Sequence, residues 1–227
     1  MPYENLTKID IVEQSDGKAQ KRYPDRVLSD FFEHGSGGTC FSLTATLIEL
    51  LNAVHITAHP MLADRHYGPD THCAVLIQLE DIFYLVDPGY LIFQPIRIPI
   101  AGSVRYPGLF NTVELTASED GKKIALHTIL NNDRRYRMSY KLAPVDNEKF
   151  EKAWEDSFLF EMMSYPVLTL IKDNKYIYLQ GDTIKIREDG IQRKEKIGSD
   201  SAQKTLLSLG IAKNVLDRLY SGGKKRK

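Results

Sequence analysis

Thr71-His72-Cys73-Ala74-Val75-Leu76-Ile77-Gln78-Leu79-Glu80-Asp81-Ile82-Phe83-Tyr84-Leu85-Val86-Asp87 contains the signature of a complete β-hairpin. Two apolar, β-branched or aromatic runs, 72–79 and 82–87, flank the polar pair Glu80-Asp81. With that pair as the loop, Ala74 faces Asp87 and His72 faces Gly89. His72 and Asp87 are then diagonal neighbours on one face, roughly 7–8 Å apart at the backbone and within side-chain reach. Cys73 points to the other face. A three-residue loop would reverse the parity and separate the imidazole from the carboxylate.

Upstream lies Gly37-Gly38-Thr39-Cys40-Phe41, followed by Leu43, Leu47, Ile48, Leu51 and Val54 at helical spacing. The glycines permit a sharp turn, and Thr39 as N-cap places Cys40 in the first turn of the helix. The exposed N–H groups and positive end of that turn favour a thiolate, and the same groups suit an oxyanion. Taken alone, Cys40 is most simply a small buried hydrophobe. A thiol, an imidazole and a carboxylate in this order make a nucleophile, a base and an orienting acid.

These residues resemble the arylamine N-acetyltransferase family, whose signature is close to Arg-Gly-Gly-x-Cys-Phe-Glu, then a His before an apolar strand, then Tyr-Leu-Val-Asp-Val-Gly-Phe-Gly. The chain has Ser36-Gly37-Gly38-Thr39-Cys40-Phe41-Ser42, then His72, then Tyr84-Leu85-Val86-Asp87-Pro88-Gly89-Tyr90-Leu91. The resemblance runs on through Tyr165-Pro166 to a closing helix at Leu209-Gly210-Ile211. It implies a papain-like triad of Cys40, His72 and Asp87, with Gly89 and Tyr90 beside the acyl pocket. Phe41, Thr71 and Phe93 complete the expected substrate-binding set. It also implies no bound cofactor, a coenzyme A thioester as co-substrate, and a small-molecule acyl donor and amine acceptor as partners. Ser36, Ser42 and Leu91 depart from the pattern, replacing an Arg, a Glu and a Gly, and the segment before the cysteine is shorter by about one helix.

The implied fold is α+β. An N-terminal helical subdomain (1–66) carries the nucleophile, an antiparallel β-barrel (67–145) carries His and Asp, and a C-terminal α/β lid (146–227) ends in a basic tail. Local patterns agree. Helices are expected at 5–14 and 25–34, the latter with Val27, Leu28, Phe31 and Phe32 as its apolar face. Residues 15–18 are expected as a loop, and His66, Tyr67, Gly68 and Asp70 as a polar loop leading to His72. The prolines at 95 and 99 make 91–100 an edge strand or an extended crossing, and 101–112 is expected as a loop. Strands follow at 113–115, 124–130 and 136–142, then a helix over 146–163 with Phe150, Ala153, Trp154 and Phe158 on one stripe. Four further strands and two helices close the chain, and 221–227 is expected as a disordered basic tail.

Thirty basic residues balance thirty acidic ones, which leaves no global field to recruit nucleic acid or an anionic membrane. No run reaches transmembrane length, and the first residues lack a signal-peptide pattern. Two cysteines exclude a disulfide framework and fit a reducing cytoplasm. His55 and His59 lie four apart, but Pro60 and the strand-like run between them argue against a helical ligand pair, so no metal is expected. Besides acetyl transfer to an amine, the same three residues would serve a macrolactam-forming amide synthase or a cysteine hydrolase or transglutaminase-like enzyme. A non-catalytic relative that kept the pocket is the remaining reading.

Overall fold

The structure, a computed structural model, describes residues 1–15, 18, 20–143, 145–160, 165–188 and 190–221. The expected tail beyond residue 221, part of the 15–18 loop and the end of the expected 146–163 helix lie outside the described residues. The chain divides into two compact units, Met1–Leu43 with Glu155–Lys227, and Thr44–Trp154. Among the described residues, no helix is long and apolar enough to cross a membrane.

The second unit holds an eight-stranded antiparallel sheet. Its strands are β2 (Ala58–Arg65), β3 (Gly68–Leu79), β4 (Ile82–Asp87), β5 (Ile92–Arg97), β6 (Ser103–Pro107), β7 (Thr112–Ala117), β8 (Lys123–Leu130) and β9 (Asp133–Lys141). Their spatial order is β5-β4-β3-β2-β9-β8-β7-β6. The Tyr106 hydroxyl of β6 donates to the Arg97 carbonyl of β5, at 3.2 Å, so the two edges approach and the barrel nearly closes. Its interior is filled by Met61, Ala74, Leu85, Ile96, Leu115, Leu126, Met138 and Tyr140. Pro95 sits on edge strand β5, where no ladder donor is needed. Asn131 and Asn132, between β8 and β9, both have positive φ, the combination a two-residue primed hairpin turn requires.

Three local expectations are corrected here. Residues 101–112 are not all loop, because Ser103–Pro107 pairs with β7 as an edge strand. Its Gly102 and Pro107-Gly108 boundaries disguise a five-residue alternation. The polar loop before His72 shrinks to the His66-Tyr67 turn, with Gly68 and Asp70 already in β3. The helix α4 (Asn147–Asp156), begun by Asp146 Oδ1 accepting from the Lys149 amide, gives way to a 3₁₀ turn at Ser157–Leu159.

The same unit contains most of α3 (Cys40–Ala53), which crosses the division after Leu43. Its Leu47, Ile48 and Leu51 pack on Ala58, Val75, Ile77 and Val86. Val54, expected on the apolar face, lies beyond the helix and is exposed.

The first unit combines β1 (Tyr3–Glu4), α1 (Leu6–Gln14) and α2 (Pro24–His34) with β10 (Val167–Lys172), β11 (Lys175–Gln180), β12 (Thr183–Glu188) and β13 (Ile191–Lys196). It ends in α5 (Ser199–Ser208) and α6 (Lys213–Ser221). Its sheet order is β1-β10-β11-β12-β13, so the two-residue strand at the N-terminus adds an edge that local pattern does not reveal. Leu6 and Ile9 of α1 share a core with Leu168, Leu179, Leu206, Val215 and Leu219. On α2, Val27 is buried but Phe32 is 81% exposed, because the buried face turns towards Asp30 rather than towards residue 32.

Candidate active site

The hairpin forms in the register its alternation dictates. Val75 pairs with Val86, Leu76 with Leu85, Ile77 with Tyr84 and Leu79 with Ile82, with Glu80 at φ +53° in the turn. His72 and Asp87 consequently meet, with Nε2 at 2.6 Å from Oδ2. Both are buried, at 3% and 0% exposure. Two further donors converge on the carboxylate. The Tyr90 amide donates to Oδ1 at 2.8 Å, and the Tyr140 hydroxyl donates to Oδ2 at 2.6 Å. Burial, then the neighbouring Asp87 charge, pushes the Tyr140 phenol well above its ordinary value of 10. It therefore stays protonated and donating.

The carboxylate orients the ring. A carboxylate accepts, so the imidazole proton shared with Asp87 sits on Nε2, and in the neutral ring the basic lone pair is on Nδ1. Asp87 thus selects the tautomer as well as the ring plane.

Tyr140 was missed by sequence reasoning. Its alternation with Tyr136 and Met138 on one strand is visible, but its arrival at Asp87 depends on β9 lying beside β2. Burial also raises the Tyr90 phenol. The Thr71 hydroxyl donates to the Gly68 carbonyl at 3.0 Å, within the first residues of β3. Gly89 is half-buried in the turn that joins Asp87 to Tyr90. Phe93 is 53% exposed on edge strand β5, next to Ile92, which packs in the barrel. Leu91 has φ +60°, so the main chain takes a left-handed conformation at the position where the signature has glycine.

Cys40 and Phe41 belong to the first unit and the other candidate residues to the second. Cys40 opens α3, and the Thr39 carbonyl accepts the first intrahelical bond, from Leu43 at 3.0 Å. Both Cys40 and Phe41 are buried, and so is the second thiol, Cys73. The glycines before Cys40 are required by close approach. A Cβ on Gly37 would lie 1.8 Å from the Pro2 carbonyl oxygen, and one on Gly38 would lie 2.2 Å from the Ser42 hydroxyl. The Gly38 carbonyl accepts from the Glu4 amide at 2.9 Å, so β1 also braces this turn. Lys8 of α1 is buried, and burial pushes its ammonium down to about 8, while the Cys40 charge acts in the raising direction.

No family model matches the chain, and no curated protein does. Solved structures do. An arylamine N-acetyltransferase from Mycobacterium marinum in complex with CoA superposes with a TM-score of 0.82 at 14% identity, over 97% of this chain and 86% of that one. The fold is that of the arylamine N-acetyltransferases. The enzyme from Mycobacterium abscessus matches with a TM-score of 0.80 at 16% identity, over 97% of this chain and 84% of its own. That from Salmonella typhimurium matches with a TM-score of 0.80 at 14% identity, over 98% and 86%. Barrel, hairpin and helical elements thus combine in the arylamine N-acetyltransferase arrangement, and the α+β expectation holds.

Proposed function

We propose that the protein is an acyltransferase of the arylamine N-acetyltransferase kind, moving an acyl group from a thioester donor through Cys40 to an amine. The single observation that carries this reading is the buried His72–Asp87 pair, with Nε2 committed to the carboxylate. The fold and the placement of Cys40 at the first position of α3 support it.

His72 Nδ1 takes the Cys40 proton, and the thiolate attacks the donor carbonyl. The tetrahedral intermediate collapses, breaking the bond to the donor sulfur, which leaves as a thiol with the proton held by His72. An amine then attacks the Cys40 thioester. The S–acyl bond breaks, His72 accepts the amine proton, and its return to sulfur restores the resting thiol. Asp87 stabilises the imidazolium in both halves. The M. marinum neighbour holds CoA, which makes a coenzyme A thioester the first donor to try.

Incubation with acetyl-CoA followed by mass spectrometry tests the reading. An acetyl increment on the peptide containing Cys40, discharged by an arylamine, is the expected result. Absence of any Cys40-dependent adduct would sink it.

A further inference from the structure

Arg22 lies in the segment before α2 and is buried in the first unit, together with two acidic side chains. Its Nη1 donates to the Gly37 carbonyl at 2.8 Å and to the Thr7 hydroxyl at 2.7 Å. Its Nε donates to Asp30 Oδ2 at 3.0 Å, and Nη2 lies 2.8 Å from the same oxygen. Glu4 is fully buried beside it, with Oε1 at 3.8 Å from Nη1. The Thr7 hydroxyl links the two charges, donating to Glu4 Oε1 at 2.8 Å while accepting from Arg22. The second Asp30 oxygen is held by the exposed Arg26 at 2.8 Å.

A guanidinium is a planar fork of fixed donors, and here that fork is used on three sides. Asp30 and Thr7 set its plane, and the second Nη1 donor falls on the carbonyl that begins the two-glycine turn. The Gly38 carbonyl and amide are bound in turn by Glu4 and Pro2. The peptide planes of the turn are therefore fixed by charged and main-chain groups outside it. Ser36 and Ser42 carry no charge that could do this. The Ser36 hydroxyl donates to the Asp30 carbonyl and the Ser42 hydroxyl to the Thr39 carbonyl, both weakly at 3.2 Å.

We propose that Arg22 is the positioning residue for Cys40, holding the Gly37 carbonyl so that the turn presents the sulfur in one orientation. The consequence for catalysis rests on the acyl-transfer reading above; the consequence for thiol reactivity does not. A displacement of the sulfur by about an ångström is enough to reduce the attack rate by one to two orders of magnitude, while donor binding is untouched.

The test compares the wild type with Arg22→Lys, which keeps the positive charge but cannot reach Gly37, Thr7 and Asp30 together, and with Thr7→Val, which removes one anchor of the fork. Alkylation of Cys40 and Cys73 by iodoacetamide is followed against pH by peptide mass spectrometry, with steady-state acetyl transfer measured alongside. In Arg22→Lys we expect kcat and the Cys40 alkylation rate to fall about tenfold or more, with the KM for acetyl-CoA within about twofold of wild type. Thr7→Val should shift in the same direction by less. Cys73, fully buried in the other unit, reports unfolding. A wild-type Cys40 profile in Arg22→Lys would overturn the proposal, as would a joint rise in both alkylation rates, which marks a stability role alone. If the wild type transfers no acetyl group, the acyl-transfer reading fails, and the alkylation profiles still decide the role of Arg22.

Discussion

The hydroxyl of Tyr140 on β9 and the carboxylate of Asp87 at the end of β4 meet at 2.6 Å, on the same oxygen that binds His72. Two donors on Oδ2 and the Tyr90 amide on Oδ1 leave the carboxylate little rotational freedom. Tyr140→Phe removes one donor and leaves the ring volume in place. A bond to a charged group contributes roughly 1.5–3 kcal/mol, so we expect a stability loss near the low end of that range and kcat reduced by about tenfold. Chemical denaturation and steady-state kinetics check both. An unchanged kcat would show that His72 and Asp87 hold their geometry without the tyrosine.

Asp87→Asn offers His72 an amide in place of the carboxylate and no longer selects the Nε2–H tautomer. Activity should fall by roughly 10³–10⁴-fold, the scale seen when the acid of a hydrolase triad is neutralised, with the unfolding midpoint affected far less. Nitrogen-15 NMR of the imidazole would report the tautomer directly. An Nε2–H ring in an inactive variant would contradict the orienting role.

The two glycines before Cys40 should respond unequally. A methyl group on Gly37 meets main chain, the Pro2 carbonyl, which cannot move without opening β1. On Gly38 it meets the Ser42 hydroxyl, a side chain able to rotate. Gly37→Ala should therefore lower both stability and Cys40 reactivity, while Gly38→Ala costs less of each. Thermal unfolding and alkylation rates of the two variants would settle the order.

Leu91 holds φ +60°, a conformation that costs a residue with a Cβ on the order of 1–2 kcal/mol. Leu91→Gly relieves that cost, against the lost packing of a half-buried side chain. We expect an unfolding midpoint equal to or above that of the wild type. By contrast Leu85→Gly, in the barrel core, should lose several kcal/mol, on the scale of about 2–5 for large-to-small core changes.

Lys8 loses its proton near 8 in the folded protein, against an ordinary value of 10.5. Between those values the unfolded chain binds more protons, so stability should rise with pH across that window. Below about pH 8 the full cost of burying the ammonium is present, and above about 10.5 it is gone. The gain is on the order of 3 kcal/mol. Denaturation midpoints of wild type and Lys8→Met, compared across the window, isolate it from tyrosine titration. Parallel curves would refute the assignment.

Local chemistry was enough for much of this fold. Period-two alternation about Glu80-Asp81, read with that pair as the loop, gives the register the hairpin adopts, and its parity puts His72 and Asp87 on one face. The prolines place β5 at an edge, and Asp146 announces the start of α4. Where the local signal was weak, the reading failed: a five-residue strand between Gly102 and Gly108 looks like loop, and Phe32 looks like core. The common cause is that short segments bury too little of their own surface to reveal a face.

Residues near one another in the chain thus dictated the hairpin, the helix starts and the turn chemistry, because these depend on dihedral preferences and on which side of a strand or helix is apolar. Partners brought from afar are another matter. Tyr140 reaches Asp87 only because β9 lies next to β2; Arg22 reaches Gly37, and Tyr3 pairs with Thr169, only once strand order and core packing are settled. Those choices are made by burial summed over a whole unit, and no window of sequence contains that sum.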